Sequence, residues 1–220
     1  MKFADDTYLI IPADNIHTCA EEIENVETWA RNNNLTLNKS KTSAVVFRDA
    51  RRKQKATMPQ QQLSGMARNT SLHILGVTMT ANLSASDHIR GVLGKCSQTL
   101  YAQRVLRSHG LCDAGLQTVF QSVIVAKLLY ASSAWSGFTT SDDRQRVNAF
   151  LRRGKRCGFC RQDLPMFEEL LDNRDEQLFN QIMNNTQHVL VCYHHLQQHH
   201  NTANLGNECT TDSHLNTPGA

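Results

Sequence analysis

At about Ser86 the spacing of apolar residues changes from every second position to every third or fourth, and this change divides the chain into a mixed part and a helical part. Beyond it, Ile89, Val92, Leu93, Cys96 and Leu100 form one stripe at helical spacing, and Leu116, Val119, Phe120, Val123, Ile124 and Leu128 form another. Asp113 is placed to cap the second of these helices. Thr140-Ser141-Asp142-Asp143 reads as the capping sequence of a third, which holds Val147, Phe150 and Leu151. Amphipathic helices on short connections bury their stripes against one another, so residues 86–156 are expected to form a three-helix bundle that folds with little help from the rest. Further helical pieces are expected from Met166 to Leu171 and from Leu178 to Met183.

Before Ser86 the pattern is mixed. Asn15 to Asn34 reads as an amphipathic helix with Ile16, Ala20, Ile23, Val26 and Ala30 on its buried face and Glu21, Glu22, Glu24 and Glu27 on the other. Trp29 is read as core. Asn32-Asn33-Asn34 ends the helix, because Asn competes for backbone hydrogen bonds and tolerates the left-handed conformation. A loop over 35–42 then leads to a strand from Ser43 to Phe47. Residues 48–70 are polar and basic and read as a loop or ragged hairpin. A strand pair is expected over Leu72 to Met79, with Gly76 at a bend or a close backbone approach. At the start, Leu9-Ile10-Ile11 reads as a strand leaving a tight turn that carries Asp5 and Asp6. The fold class is therefore α+β, with a mixed domain at 1–82, a helical domain at 83–162, a helical extension at 163–198 and a disordered tail at 199–220.

The formal net charge of the 220 residues is only +3, so the distribution of charge says more than its sum. Acidic residues crowd the first 30 positions, whereas Arg and Lys gather at 48–55 and 144–161. Seven cysteines, an odd number, spread thinly over a chain with no charged n-region and apolar h-region at its start, read as reduced thiols of a soluble, intracellular protein. Cys157 and Cys160, with Cys192, His194, His195, His199 and His200 downstream, raise the question of zinc. The gap between the two groups is about three times the usual finger spacing, so zinc is not expected and the pair reads as helix-end thiols.

Asp5 and Asp6 are the first candidate site. Adjacent carboxylates repel when desolvated, and a turn that presents both is suited to a hard divalent cation such as Mg²⁺ or Mn²⁺. The bland alternatives are a cap for the following helix or a solvated terminus. Arg144, Arg146, Arg152, Arg153, Lys155 and Arg156 are the second: basic side chains concentrated on one helix are the electrostatic footprint of a phosphate backbone, set against a helix that merely carries solvated charge.

The order of motifs resembles a known family. Phe3-Ala4-Asp5-Asp6 is followed by Trp29-Ala30-x-x-Asn33-x-Leu35-x-Leu37-Asn38-x-x-Lys41-Thr42 and by His73-x-Leu75-Gly76-Val77. Asp87-His88-Ile89 and Leu129-Tyr130-Ala131-Ser132-Ser133-Ala134-Trp135 continue the series. Together these resemble the carboxy-terminal part of a non-LTR (LINE-type) retrotransposon reverse transcriptase, most like the jockey-type elements, over roughly residues 1–180. The resemblance implies the end of a polymerase palm followed by a helical thumb, and an RNA-directed DNA polymerase that works on an RNA template, a DNA primer and deoxynucleoside triphosphates. It implies that Asp5 and Asp6 are catalytic acids that bind Mg²⁺ or Mn²⁺. Lys41 is implied as a proton donor to the departing pyrophosphate, and Leu75, Gly76 and Val77 as the hairpin that grips the primer. In the family a third acid stands on an earlier strand, which would precede Met1, so the 220 residues are expected to be a fragment inactive alone. The other reading is a non-catalytic nucleic-acid-binding remnant.

Overall fold

A computed structural model describes residues 2–3, 6–48, 66–185, 187–188 and 190. Asp5, most of the polar stretch at 48–70, the distal Cys192 and histidines, and the expected tail at 199–220 lie outside these residues. The chain divides into two compact units, Met1–Gly91 and Val92–Ala220. Short strands fill part of the first and helices make the second, an α+β protein.

The first unit opens with β1 (Lys2–Phe3) and β2 (Asp6–Thr7), paired antiparallel with Phe3 opposite Asp6. The expected strand at Leu9-Ile10-Ile11 does not form. Pairing stops at Thr7, opposite Lys2, and Ile10 is left 81% exposed. A 3₁₀ turn, Ala13–Thr18, precedes α1 (Cys19–Asn32) and breaks the helical register, so the expected face holds at Ile23, Val26 and Ala30, which are half-buried or buried, and fails before them. Ile16 and Ala20 are exposed while Cys19 and Ala30 are buried. Trp29, expected in the core, is 48% exposed because it lies to the side of that face. The Asn run does end the helix: Asn34 is left-handed (φ 55°) and the Leu35 N–H returns to the Ala30 carbonyl at 2.8 Å.

β3 is shorter than expected, Ser43–Ala44, and pairs in parallel with β4 (Ala67–Arg68). The hairpin expected near Leu72 is present as β5 (Ser71–Ile74) and β6 (Val77–Thr80), with Ile74 opposite Val77. Thr80 and Ser84 then exchange hydrogen bonds, and the Ser84 Oγ accepts from the Ser86 N–H at 3.2 Å, which starts α2 (Ser86–Ser108).

The second unit is built on the long apolar stretch after α2. α3 (Asp113–Val119) passes into a π-helical turn at Phe120–Val125 and then into α4 (Ala126–Leu128). Leu116, Phe120, Ile124 and Leu128 are all nearly inaccessible, although four-residue steps overshoot an α-helical turn by about 40° each. The wider π turn takes up that drift and keeps the four on one face. Val123, expected in the core, is 38% exposed for the same reason, and Val125 takes its place at 2%. Asp113 is the first helical residue and not the cap, a position held by Cys112. Among the described residues this stretch, Asp113–Phe138, is the one helix long and apolar enough by composition to cross a membrane. Here it is interrupted at Ala131, which is left-handed (φ 50°), and supplies the core of the unit.

α5 (Ser132–Trp135) turns Trp135 inward, where its indole N–H donates to the Tyr130 carbonyl at 2.9 Å and its ring stacks on Phe167 at 6.4 Å. α6 (Ser141–Arg156) begins with the expected capping box: Thr140 Oγ accepts from the Asp143 N–H and Asp143 accepts from the Thr140 N–H. α7 (Phe167–Asn184) has no side-chain cap of its own. Asn148 of α6 supplies one, accepting the Phe167 N–H at 2.8 Å while donating to the Glu168 carboxylate at 2.8 Å. Phe167, Leu170 and Leu171 are buried, so α7 completes a core that the three expected helices leave open. Each fully buried side chain of this size contributes about 1.5–3 kcal/mol.

Gly154 lets α6 approach Phe120. A Cβ there would stand 2.6 Å from Cε2 and 2.8 Å from Cζ of that ring. Gly154→Ala is expected to destabilise the protein by about 1–3 kcal/mol in urea unfolding, the usual cost of overpacking, despite alanine's better helix propensity.

Candidate functional site

In the first unit the structure places Asp6 at the start of β2, exposed, with the Tyr8 hydroxyl donating to its Oδ2 at 3.4 Å. Desolvation, then the Asp6 charge and this hydrogen bond, raise the Tyr8 phenol above its ordinary value. Tyr8 was not singled out in the sequence; its spacing of two from Asp6 on an extended chain puts both side chains on one side, which is the signal that could have found it. Lys41 lies in a loop organised by Asn38, whose side-chain oxygen accepts from the Ser40 hydroxyl at 2.7 Å and whose carbonyl accepts from the Lys41 N–H at 3.2 Å and the Thr42 hydroxyl at 2.9 Å. Lys39 is fixed by an ion pair with Glu27 at 2.8 Å. Lys41 is exposed and makes no ion pair or side-chain hydrogen bond among the described residues.

The structure does not bring Asp6 and Lys41 into contact. No group of three or more His, Cys, Asp or Glu among the described residues is placed to hold a metal ion. Magnesium asks for near-octahedral oxygen coordination; of the two expected carboxylates Asp6 is exposed and hydrogen-bonded to the Tyr8 phenol, and Asp5 lies outside the described residues. Of the thiols weighed for zinc, Cys160 is buried, and that burial, opposed by nearby Lys155, pushes it up to about 11.

Leu75 and Gly76 form the turn of the β5–β6 hairpin, with φ 47° and 89°. Two consecutive left-handed residues make a type I′ turn, whose twist matches the strands and which favours Asn-Gly. Gly76 is suited to this conformation, but Leu75 is not, and its side chain is 42% exposed at the tip. Val77 opens the return strand and is half-buried. A bulky residue held at positive φ and pointing at solvent is a local cost that an interaction made at the tip would offset.

In the second unit the six basic residues of α6 separate into two groups. Arg144 donates to the Thr139 hydroxyl at 3.1 Å and to the Ser136 carbonyl, Arg146 pairs with Asp142 at 3.3 Å, and Lys155 donates to the Leu164 carbonyl at 2.6 Å. These three are committed to the fold. Arg152, Arg153 and Arg156 are exposed, and their side chains make no hydrogen bond or ion pair among the described residues. They share the outward face of the last turns of α6, opposite Val147, Leu151 and Gly154. The sequence did not single out Arg107, in the last turn of α2, which donates to the carbonyls of Cys157 (2.6 Å) and Gly158 (3.1 Å) just past the end of α6. An interaction across 50 residues leaves no local pattern by which to find it.

Comparison with protein families, curated proteins and solved structures gives no match to this chain.

Replacing Leu75 by Asn introduces a residue that accepts positive φ. Leu75→Asn is therefore expected to raise the thermal unfolding midpoint, by the equivalent of about 1 kcal/mol, in differential scanning calorimetry.

Proposed function

We propose that residues 1–180 belong to the palm edge and thumb of an RNA-directed DNA polymerase of the non-LTR retrotransposon type, and that this chain's own contribution is contact with the sugar-phosphate backbone of the template and primer. The observation that carries the reading is the order of its parts: an acid-bearing hairpin, a Lys41 loop, a tight Leu75-Gly76 hairpin and then a helical unit with three uncommitted arginines on one face. Uncommitted guanidinium groups on a rigid helix favour phosphate contact, since no side chain among the described residues competes for them. Backbone contact carries no sequence information, which suits a protein that must accept any template. In this reading Asp5 and Asp6 take the catalytic metal ions, Mg²⁺ or Mn²⁺, Lys41 is the proton donor, and Leu75, Gly76 and Val77 meet the primer. The second reading, a nucleic-acid-binding remnant without chemistry, rests on the same arginines.

Two measurements test these readings. Changing Arg152, Arg153 and Arg156 together to Ala is expected to reduce the slope of log K against log salt on duplex DNA by about 0.9 for each phosphate no longer neutralised, about 2.7 for the three. An unchanged slope would remove this surface from both readings. In primer extension with an RNA template and Mg²⁺ or Mn²⁺, the purified 220-residue chain is expected to give no product, because it holds two of the three acids that the resemblance requires. Templated extension that disappears in Asp5→Ala would make the chain a polymerase by itself.

A further inference from the structure

Arg107 fixes where two helix ends meet. Its guanidinium donates to the Cys157 and Gly158 carbonyls at 2.6 and 3.1 Å, lies 4.3 Å above the Phe159 ring, and meets Asp113 at 3.4 Å through the same Nη2 that bonds Gly158. The last turns of α2 and α6 therefore lie at the same end of the second unit. Each is a helix C-terminus, where unpaired carbonyls carry partial negative charge. Arg107 answers the charge of α6, and its own charge is in turn matched by Asp113.

The cations beyond this pair are in excess. Arg104, one turn before Arg107 on α2, is exposed, and its side chain makes no hydrogen bond or ion pair among the described residues. At 1.5 Å rise per residue it stands about 4.5 Å along the helix from the latch, and Arg153 and Arg156 stand within about 6 Å of the latch along α6. With Arg152 about 7.5 Å from the latch along α6, the two helices hold four uncommitted guanidinium groups near their joined ends. A single small anion would be met by one or two of them. An array spread over two helices fits a ligand with repeated negative charge.

Resting on the reading above, we infer that Arg104 belongs to the same phosphate-binding surface as Arg152, Arg153 and Arg156, and that its ligand is a second stretch of the same sugar-phosphate backbone. α6 alone is then half of the surface, and Arg107 holds the two halves in register.

The experiment is a salt titration of duplex DNA binding by the full chain, comparing wild type with Arg104→Ala, the triple α6 variant and the quadruple variant. Arg174→Ala, an exposed arginine of α7, serves as the control for generic loss of charge. Arg104→Ala is expected to lower the salt slope by about 0.9, the quadruple variant to fall below the triple by a similar step, and the control to stay at the wild-type value. The unfolding midpoint of Arg104→Ala should match wild type, because the side chain holds nothing in the fold; Arg104→Gln gives a second chance to read the slope if it does not. A slope lowered in the triple variant but not by either Arg104 change overturns the inference and leaves the α6 surface standing. A slope lowered by Arg104→Ala but not by the triple variant overturns both the α6 surface and the inference, because Arg104 then shares no surface with α6. An equal drop with Arg174→Ala overturns the inference in favour of diffuse attraction.

Discussion

The second unit depends on one close approach, that of α6 to the π-helical turn of the apolar stretch. Phe120 sits where a glycine on α6 leaves room for it, and the same turn that widens the helix at Phe120 keeps Leu116, Ile124 and Leu128 facing the same way. Move α6 outward by one methyl group and the ring is no longer packed. Dispersion falls off steeply with distance, so the core would loosen well before any hydrogen bond broke. The arginines gain their placement from this. With Gly154 pressed inward, Arg152, Arg153 and Arg156 have no direction left but out.

The same geometry explains how the cationic side chains divide. A helix that carries six basic residues within a short span cannot point them all at solvent, and those on its flanks find carbonyls: Ser136 for Arg144 and Leu164 for Lys155. Such groups are tied to the fold: moving Lys155 would take away the donor of the Leu164 carbonyl, and moving Arg144 would break its bonds to the Thr139 hydroxyl and the Ser136 carbonyl. Counting positive residues along a sequence therefore overstates a binding surface.

Much of the architecture could be read from the chain. The change of period at Ser86, the Thr140 capping box, the asparagine stop of α1 and the hairpin around Gly76 each rest on neighbours within a few residues, and such signals survive tertiary packing. What could not be read depends on distant partners or on small changes of register. The 3₁₀ turn before Cys19 moved the buried face of α1 away from Ile16 and Ala20 and left Trp29 at its side. The π turn exchanged Val123 for Val125. Arg107 finds Cys157 across 50 residues, and Asn148 reaches Glu168 across 20. Of the site residues, Gly76 was legible because its backbone demand is local. Which arginines stay free was not, because that is settled by carbonyls elsewhere in the chain.

Asn148 has one more consequence, which concerns order in time. Starting a helix is costly, since several residues must be fixed before the first hydrogen bond is made. α7 lacks a cap of its own, and the group that receives its first N–H belongs to α6. The nucleus of the later helix is therefore borrowed from the earlier one. Until α6 has formed and turned Asn148 toward it, the segment from Phe167 has little reason to coil; once α6 stands, its first turn is already begun. The chain is made in that same order, amino terminus first, so a template for α7 is in place before its residues need one.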